Sequence, residues 1–145
     1  MKQAMTLKQL FLVMLVIGGG IQFIPVERTN PPVDTRSVGS EPVMKLFRNA
    51  CFDCHSNETV WPWYGKVAPF SWLVARDVNR GREALNFSHW SRMPLREQEE
   101  MMDKIWKSVK FGDMPPPMYT LGRPEGQVTT DHHRILRVWA GLPPE

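Results

Sequence analysis

Apolar positions along the chain form one continuous run near the N-terminus and then four stripes with helical spacing. The run, Leu10-Phe11-Leu12-Val13-Met14-Leu15-Val16-Ile17, passes through Gly18-Gly19-Gly20 to Ile21-Gln22-Phe23-Ile24 and is preceded by Lys2 and Lys8. Positive residues ahead of an apolar stretch hold that end in the cytoplasm, so the chain beyond the stretch is expected to be translocated. The stretch is apolar all round, which argues against a core helix. Its length lies near the lower limit of a spanning helix, roughly 17–25 residues. Residues 1–24 are therefore read as a signal-anchor, with a signal peptide cleaved near Gly18 or Gly20 as the alternative. Residues 25–40 mix Pro31, Pro32 and Gly39 with charged side chains. That composition buries too little apolar surface to fold alone, so a linker is expected.

The folded domain is expected over residues 41–145. Val43, Leu46, Phe47 and Ala50 recur at i, i+3, i+4, i+7 and predict a first helix, with Ser40 as its cap and Pro42 in its first turn. A second is expected from Ser71 to Asn79, with Phe70, Leu73 and Val74 inward and Gly81 interrupting it. Met102, Ile105, Trp106 and Val109 make the third stripe. Glu97, Glu99 and Glu100 early and Lys107 and Lys110 late suit the helix dipole, and Gly112 ends the element. Glu100–Lys104 and Asp103–Lys107 add i,i+4 pairs. The last helix is expected from Thr130, burying Ile135, Val138 and Trp139 and stopping at Gly141. Nothing alternates with period two, so the fold class is all-α.

A chain of 145 residues, 42% of them apolar, has room for one compact domain. Its 13 prolines exclude long unbroken helices, while six Trp and seven Phe promise a large aromatic core. The net charge is +3, and setting aside Lys2 and Lys8 leaves +1. No clustered basic stripe exists, so nucleic acid is excluded as a partner.

Both cysteines lie in Cys51-Phe52-Asp53-Cys54-His55. A bridge between them would pin no distant parts together, so they serve local chemistry. CxxCH is the attachment pattern of c-type haem. Two cysteines one helical turn apart reach two neighbouring vinyl groups, and the following histidine becomes an axial ligand of the iron. A thioredoxin-like pair would need a βαβ setting, and a structural zinc site four well-spaced ligands. Neither is present. One covalently attached haem c is expected, with Cys51 and Cys54 as thioether donors and His55 as proximal ligand.

The stretch CFDCHSNETVWPWYGKVAPFSWLVARDVNRGREALNFSHW, Cys51 to Trp90, carries a CxDCHSNxTxWPWY run, and GDMPPP follows at Gly112–Pro117. With the N-terminal apolar segment, these features resemble the haem-binding domain family of small bacterial c-type cytochrome proteins, across Pro42 to Leu142. The resemblance implies a cytochrome c-like monohaem domain.

For the opposite side of the iron, Met114 is the leading candidate. It follows a helix stop, and Pro115, Pro116 and Pro117 hold the backbone around it at little entropic cost. The segment also resembles the methionine loop of small cytochromes c. Met118, a histidine or an open position are the alternatives. Met44, Met101 and Met102 read as core or surface, and Met93 as a weaker loop candidate. His89, His132 and His133 read as surface residues. Trp61, Trp63, Tyr64, Phe70 and Trp72 are expected to pack around the haem, with one indole N–H available to a propionate. Pro62 or Pro69 is expected to offer a carbonyl to the His55 ring. Sequons at Asn57 and Asn86 read as chance matches.

His/Met ligation fills both axial positions and raises the potential, which points to single-electron transfer outside the cytoplasm. The location would be the periplasmic side of the bacterial inner membrane, N-terminally anchored, or soluble there after cleavage. A haem-based sensor with a labile sixth ligand is the alternative, and a peroxidase ranks third. No Ser/His/Asp set, second CxxCH or nucleotide loop appears, so a carrier is expected rather than an enzyme. Its redox partner protein is not encoded in any motif.

Overall fold

The computed structural model describes residues 5–35 and 37–143, so Lys2, part of the expected export signal, lies outside the described residues. Among these residues the structure is all-helical, with no strand. Its helices are α1 (Leu7–Gly20), α2 (Glu41–Ala50), α3 (Phe52–His55), α4 (Phe70–Ala84), α5 (Leu95–Lys110), α6 (Pro117–Gly122) and α7 (Thr130–Trp139). Short 3-10 turns join several of them.

The chain divides into two compact units. One comprises the residues up to Thr29 together with Trp61–Asp77. In it, Thr6 and Gln9 form a capping box that starts α1, and no residue of that helix is buried. The anchor segment is expected from the sequence to reach Ile24, but three glycines weaken the helix. After 14 residues it tightens into a 3-10 turn over Ile21–Phe23. Among the described residues no helix is long and apolar enough to cross a membrane. Beyond α1, the Gln22 side chain brackets the Ala68 peptide, accepting from its N–H at 2.9 Å and donating to its carbonyl at 3.2 Å. Arg28 donates to the Gly65 carbonyl at 3.0 Å.

The other unit comprises Asn30–Val60 and the chain from Val78 onward. Its core forms where α2 lays Val43, Met44, Leu46, Phe47 and Ala50 against Phe52, Leu85, Phe87, Trp90, Trp106, Val109 and Leu136. Phe47 is completely buried, stacked on Phe87 at 4.6 Å and edge-on to Trp139 at 4.9 Å. The face expected of α2 is the face it buries. Its cap differs, because Ser40 receives the Met44 N–H on its backbone carbonyl and makes no side-chain cap. Residues 30–35, expected within the linker, are hydrogen-bonded. Asp34 and Thr35 donate backbone N–H groups to Ser88 O, at 3.0 and 2.9 Å, and Pro32 accepts from Asn57.

α5 and α7 end at Gly112 and Gly141, both in the left-handed region at φ 79 and 74, where glycine is favoured. Two faces differ from the periodicity reading. In α7 Leu136 takes the buried position at 1% exposure and Val138 points outward at 57%. In α4 the buried side chains are those of Ser71, Ala75 and Val78, while Phe70 and Leu73 are exposed. Gly81 does not interrupt α4, which continues to Ala84.

Candidate functional site

The site begins where α2 breaks. Cys51 caps α2 by donating its N–H to Phe47 O at 2.8 Å, and its φ of −129 turns the chain into α3. The N–H groups of Cys54 and His55 both return to Cys51 O, at 3.2 and 2.9 Å. Cys51 and Cys54 thus lie one short turn apart, with His55 next to the second, and no disulfide joins the cysteines.

The residues after the motif fix this turn in place. Ser56 ends α3 in extended conformation, donates its hydroxyl to Phe52 O at 2.8 Å and accepts the Glu58 N–H at 2.9 Å. Asn57 donates its backbone N–H to Ser88 Oγ at 2.9 Å, and Thr59 donates to Asp53 O at 2.8 Å. Arg82 of α4 bonds Ser56 O at 2.8 Å and Thr59 Oγ1 at 2.9 Å. Ser56, Asn57 and Thr59 are all buried. The buried, hydrogen-bonded Asn57 is a structural residue.

His55 is held from α4. Its Nδ1 lies 2.9 Å from Gly81 O and 3.2 Å from Leu85 O. Carbonyls only accept, so Nδ1 carries the proton and Nε2 keeps its lone pair. Burial pushes the His55 pKa below 6.5, outweighing the two carbonyls that favour the charged ring. This shift favours the neutral ring, the form in which an imidazole binds a metal. The carbonyls expected from Pro62 or Pro69 instead accept from Gly65 and Trp72 within their own turns. Gly81 reaches His55 because it has no side chain. A Cβ there would stand 2.3 Å from Cys54 O.

His55 and Cys51 open onto a cavity of about 310 Å³. Ala50, Ala84, Leu85, Phe87, Met101, Ile105 and Val109 give it an apolar wall, and Lys104, Ser108 and Met114 complete the lining. The structure places Met114 on the same cavity as His55, 41% exposed. Its N–H and that of Asp113 both donate to Ser108 O, at 3.1 and 2.9 Å. Met118 is 78% exposed and does not line the cavity, whereas Met101, read as core or surface, does. Met44 lies in the core, its sulfur accepting the Val38 N–H.

The aromatic cluster does not supply the wall. Trp61, Trp63, Tyr64, Phe70 and Trp72 belong to the first unit, and Trp63 is 78% exposed. The indole nitrogens of Trp61 and Trp72 are buried without a hydrogen-bond partner among the described residues. Phe87 is the aromatic residue of the cavity. His89 pairs with Asp34 at 2.6 Å, His132 closes a capping box with Thr129, and His133 stands edge-on to Trp106.

One residue of the motif went unread in the sequence. Asp53, between the cysteines, is buried. It accepts the Val60 N–H at 2.9 Å on Oδ1, with the Tyr119 hydroxyl and the Arg123 guanidinium each 3.0 Å from Oδ2. Burial and the neighbouring carboxylate raise the Tyr119 pKa, so its hydroxyl stays a donor. The spacing alone gave no sign of this, because both partners lie more than sixty residues away.

The donor set fits a haem. An imidazole with its second nitrogen pinned stands beside an apolar recess that Cys51 also lines and Cys54 does not, a setting that suits a haem. Burial, and then Cys54, push the Cys51 thiol up to about 12, the opposite of the low pKa of an attacking redox thiol. Among the described residues no three His, Cys, Asp or Glu are gathered to hold a bare metal ion. Compared with known proteins, the chain matches the family model described as a haem-binding domain over residues 16–141. No curated protein and no solved structure matches.

Proposed function

This chain belongs to the haem-binding domain family, and on that premise we propose that it holds one covalent haem c for single-electron transfer outside the cytoplasm. In this reading Cys51 and Cys54 form the thioether links, His55 is the proximal ligand and Met114 the distal one. The observation that carries it is the clamp on His55. Two backbone carbonyls fix its tautomer and leave Nε2 as the only lone pair on the ring, beside Cys51 on an apolar cavity.

Bound there, a haem would supply a one-electron couple, with His55 and Met114 the residues that would ligate its iron. The chain's own residues do the rest. Leu85, Phe87, Ile105 and Val109 give the macrocycle an apolar wall. Lys104, the charged residue in that lining, is suited to a propionate carboxylate. The carbonyls of Gly81 and Leu85 keep the ring from rotating. The role proposed for this arrangement is that of a carrier rather than a catalyst. The apolar stretch behind Lys8, together with thioether chemistry, supports a place on the periplasmic side of the inner membrane. The redox partner there would be a protein.

The 41% exposure of Met114 favours a second reading, a ligand-binding or sensing module whose sixth position opens. One set of spectra separates the two. Full-length protein matured in the periplasm is expected to keep its haem on denaturing gels, and to lose it when Cys51 and Cys54 are both replaced by Ala. Low-spin ferric bands with the weak long-wavelength methionine band, and no response of the ferrous form to carbon monoxide, would support electron transfer. High-spin bands or ready carbon monoxide binding would move the assignment to sensing. Haem that extracts freely from the wild type would overturn covalent attachment.

A further inference from the structure

The segment carrying Met114 is held at both ends. Upstream, Ser108 O takes the N–H groups of Asp113 and Met114. Downstream, three prolines lead into α6, whose Tyr119 hydroxyl lies 3.0 Å from both Asp53 Oδ2 and Asn49 O. Arg123, just past α6, pairs with the same Asp53 oxygen at 3.0 Å and donates to Val60 O at 3.2 Å. Gly126 lets this region close up, since a Cβ there would stand 2.8 Å from the Tyr119 ring and 3.0 Å from Asn49 O. The charged pair is well shielded, its side chains exposed only 21% and 10%. Hydrogen bonds to a buried charge are the strong ones.

From this juxtaposition we propose that Asp53 is a positioning residue for the far side of the haem. Through Tyr119 and Arg123 it latches the Met114 segment across the cavity and so sets access to the sixth position. This rests on the haem assignment above. The residue inside the attachment motif thereby serves both faces of the cavity. Its backbone continues α3 toward His55, and its carboxylate holds the loop that faces His55. Prolines 115–117 are the stiff arm that carries the constraint from Tyr119 back to Met114. Without the downstream tie, the segment beyond Met114 would be held only by the turn that closes over Gly112, a glycine in open space at positive φ.

The test uses the haem-loaded full-length chain and follows carbon monoxide binding to the ferrous form, the methionine band of the ferric form and the melting midpoint. Tyr119→Phe and Arg123→Met keep the motif intact, so haem attachment proceeds in both. Each is expected to let the ferrous form take up carbon monoxide, to which the wild type does not respond, and to weaken the methionine band. Glu125→Gln, which touches only the outer edge of Arg123 at 3.5 Å, is expected to leave both signals unchanged. If Tyr119→Phe and Arg123→Met lower the melting midpoint while carbon monoxide kinetics and band stay at wild-type values, the latch is merely structural and the proposal is wrong. Met114→Ala distinguishes this failure from that of the ligand assignment. If it opens the site while the latch variants do not, Met114 is the ligand and the latch fails. If it changes nothing while the latch variants still admit carbon monoxide, the latch stands and Met114 is not the ligand.

Discussion

Gly81 shows how a single residue can be misread by propensity and explained by contact. In a helix, Gly→Ala ordinarily stabilises by about 1 kcal/mol, and a glycine at this place in the sequence looks like a helix break. Here α4 runs through it, because the missing side chain is what admits Cys54 O to within 2.3 Å of where a Cβ would be. The contact is with backbone, which cannot move aside as a side-chain tip can. Gly81→Ala is therefore expected to destabilise the holoprotein by about 1–3 kcal/mol, the range for overpacking, despite its better helix propensity. It should also loosen the Gly81 carbonyl from His55 Nδ1. In the proposed haem site that bond would make the imidazole a more basic ligand and so favour ferric iron. Weakening it is expected to raise the reduction potential. Denaturant midpoints and a redox titration of the same variant check both signs. A more stable protein with an unchanged potential would show that neither contact governs the site.

At the scale of elements, the stripes of apolar residues located α2, α5 and α7, and their ends followed from Gly112 and Gly141. Facing was legible only where large apolar residues dominate one side, as Val43, Leu46, Phe47 and Ala50 do in α2. In α7 a pick of Ile135, Val138 and Trp139 missed Leu136, which sits next to Ile135 on the face that meets the core. Leu136→Ala is expected to cost about 2–5 kcal/mol, as a cavity in a closed core does. Val138→Ala, at an exposed position, should stay within about 0.5 kcal/mol. Urea midpoints of the two variants test this, and equal losses would mean α7 packs through the other face. In α4 the buried side is made of Ser71, Ala75 and Val78. Hydropathy gives small and polar side chains little weight, so it pointed to Phe70 and Leu73. The motif itself was fully legible as a local pattern, and so was the Met114 segment. Asp53's partners were not, because no periodicity links position 53 to positions 119 and 123.

For the whole molecule, the feature that sequence could not show is an apolar recess placed in the second unit's fold. Periodicity says which residues leave water but not whether they meet each other or a cofactor. Trp61, Trp63, Tyr64, Phe70 and Trp72 are expected from the sequence to pack around the haem, yet the cavity wall is mostly aliphatic, with Phe87 its aromatic member. Such a wall has a thermodynamic consequence. At about 24 cal/mol per Å³ of unfilled apolar cavity, the roughly 310 Å³ here corresponds to at most about 7 kcal/mol, since the recess is open at its mouth. A domain of this size has only about 5–15 kcal/mol of stability in total. Filling the recess is thus comparable to the whole margin, whereas the hydrogen-bonded turn after the motif is local and does not depend on the filling. The chain made without haem is accordingly expected to keep much of its helical far-ultraviolet signal while losing the cooperative, sharp melt of the holoprotein. Circular dichroism of the two forms, heated side by side, measures this. If the haem-free chain melts as sharply and at the same temperature, the recess contributes little to stability and Leu85, Phe87, Ile105 and Val109 must pack against one another when it is empty.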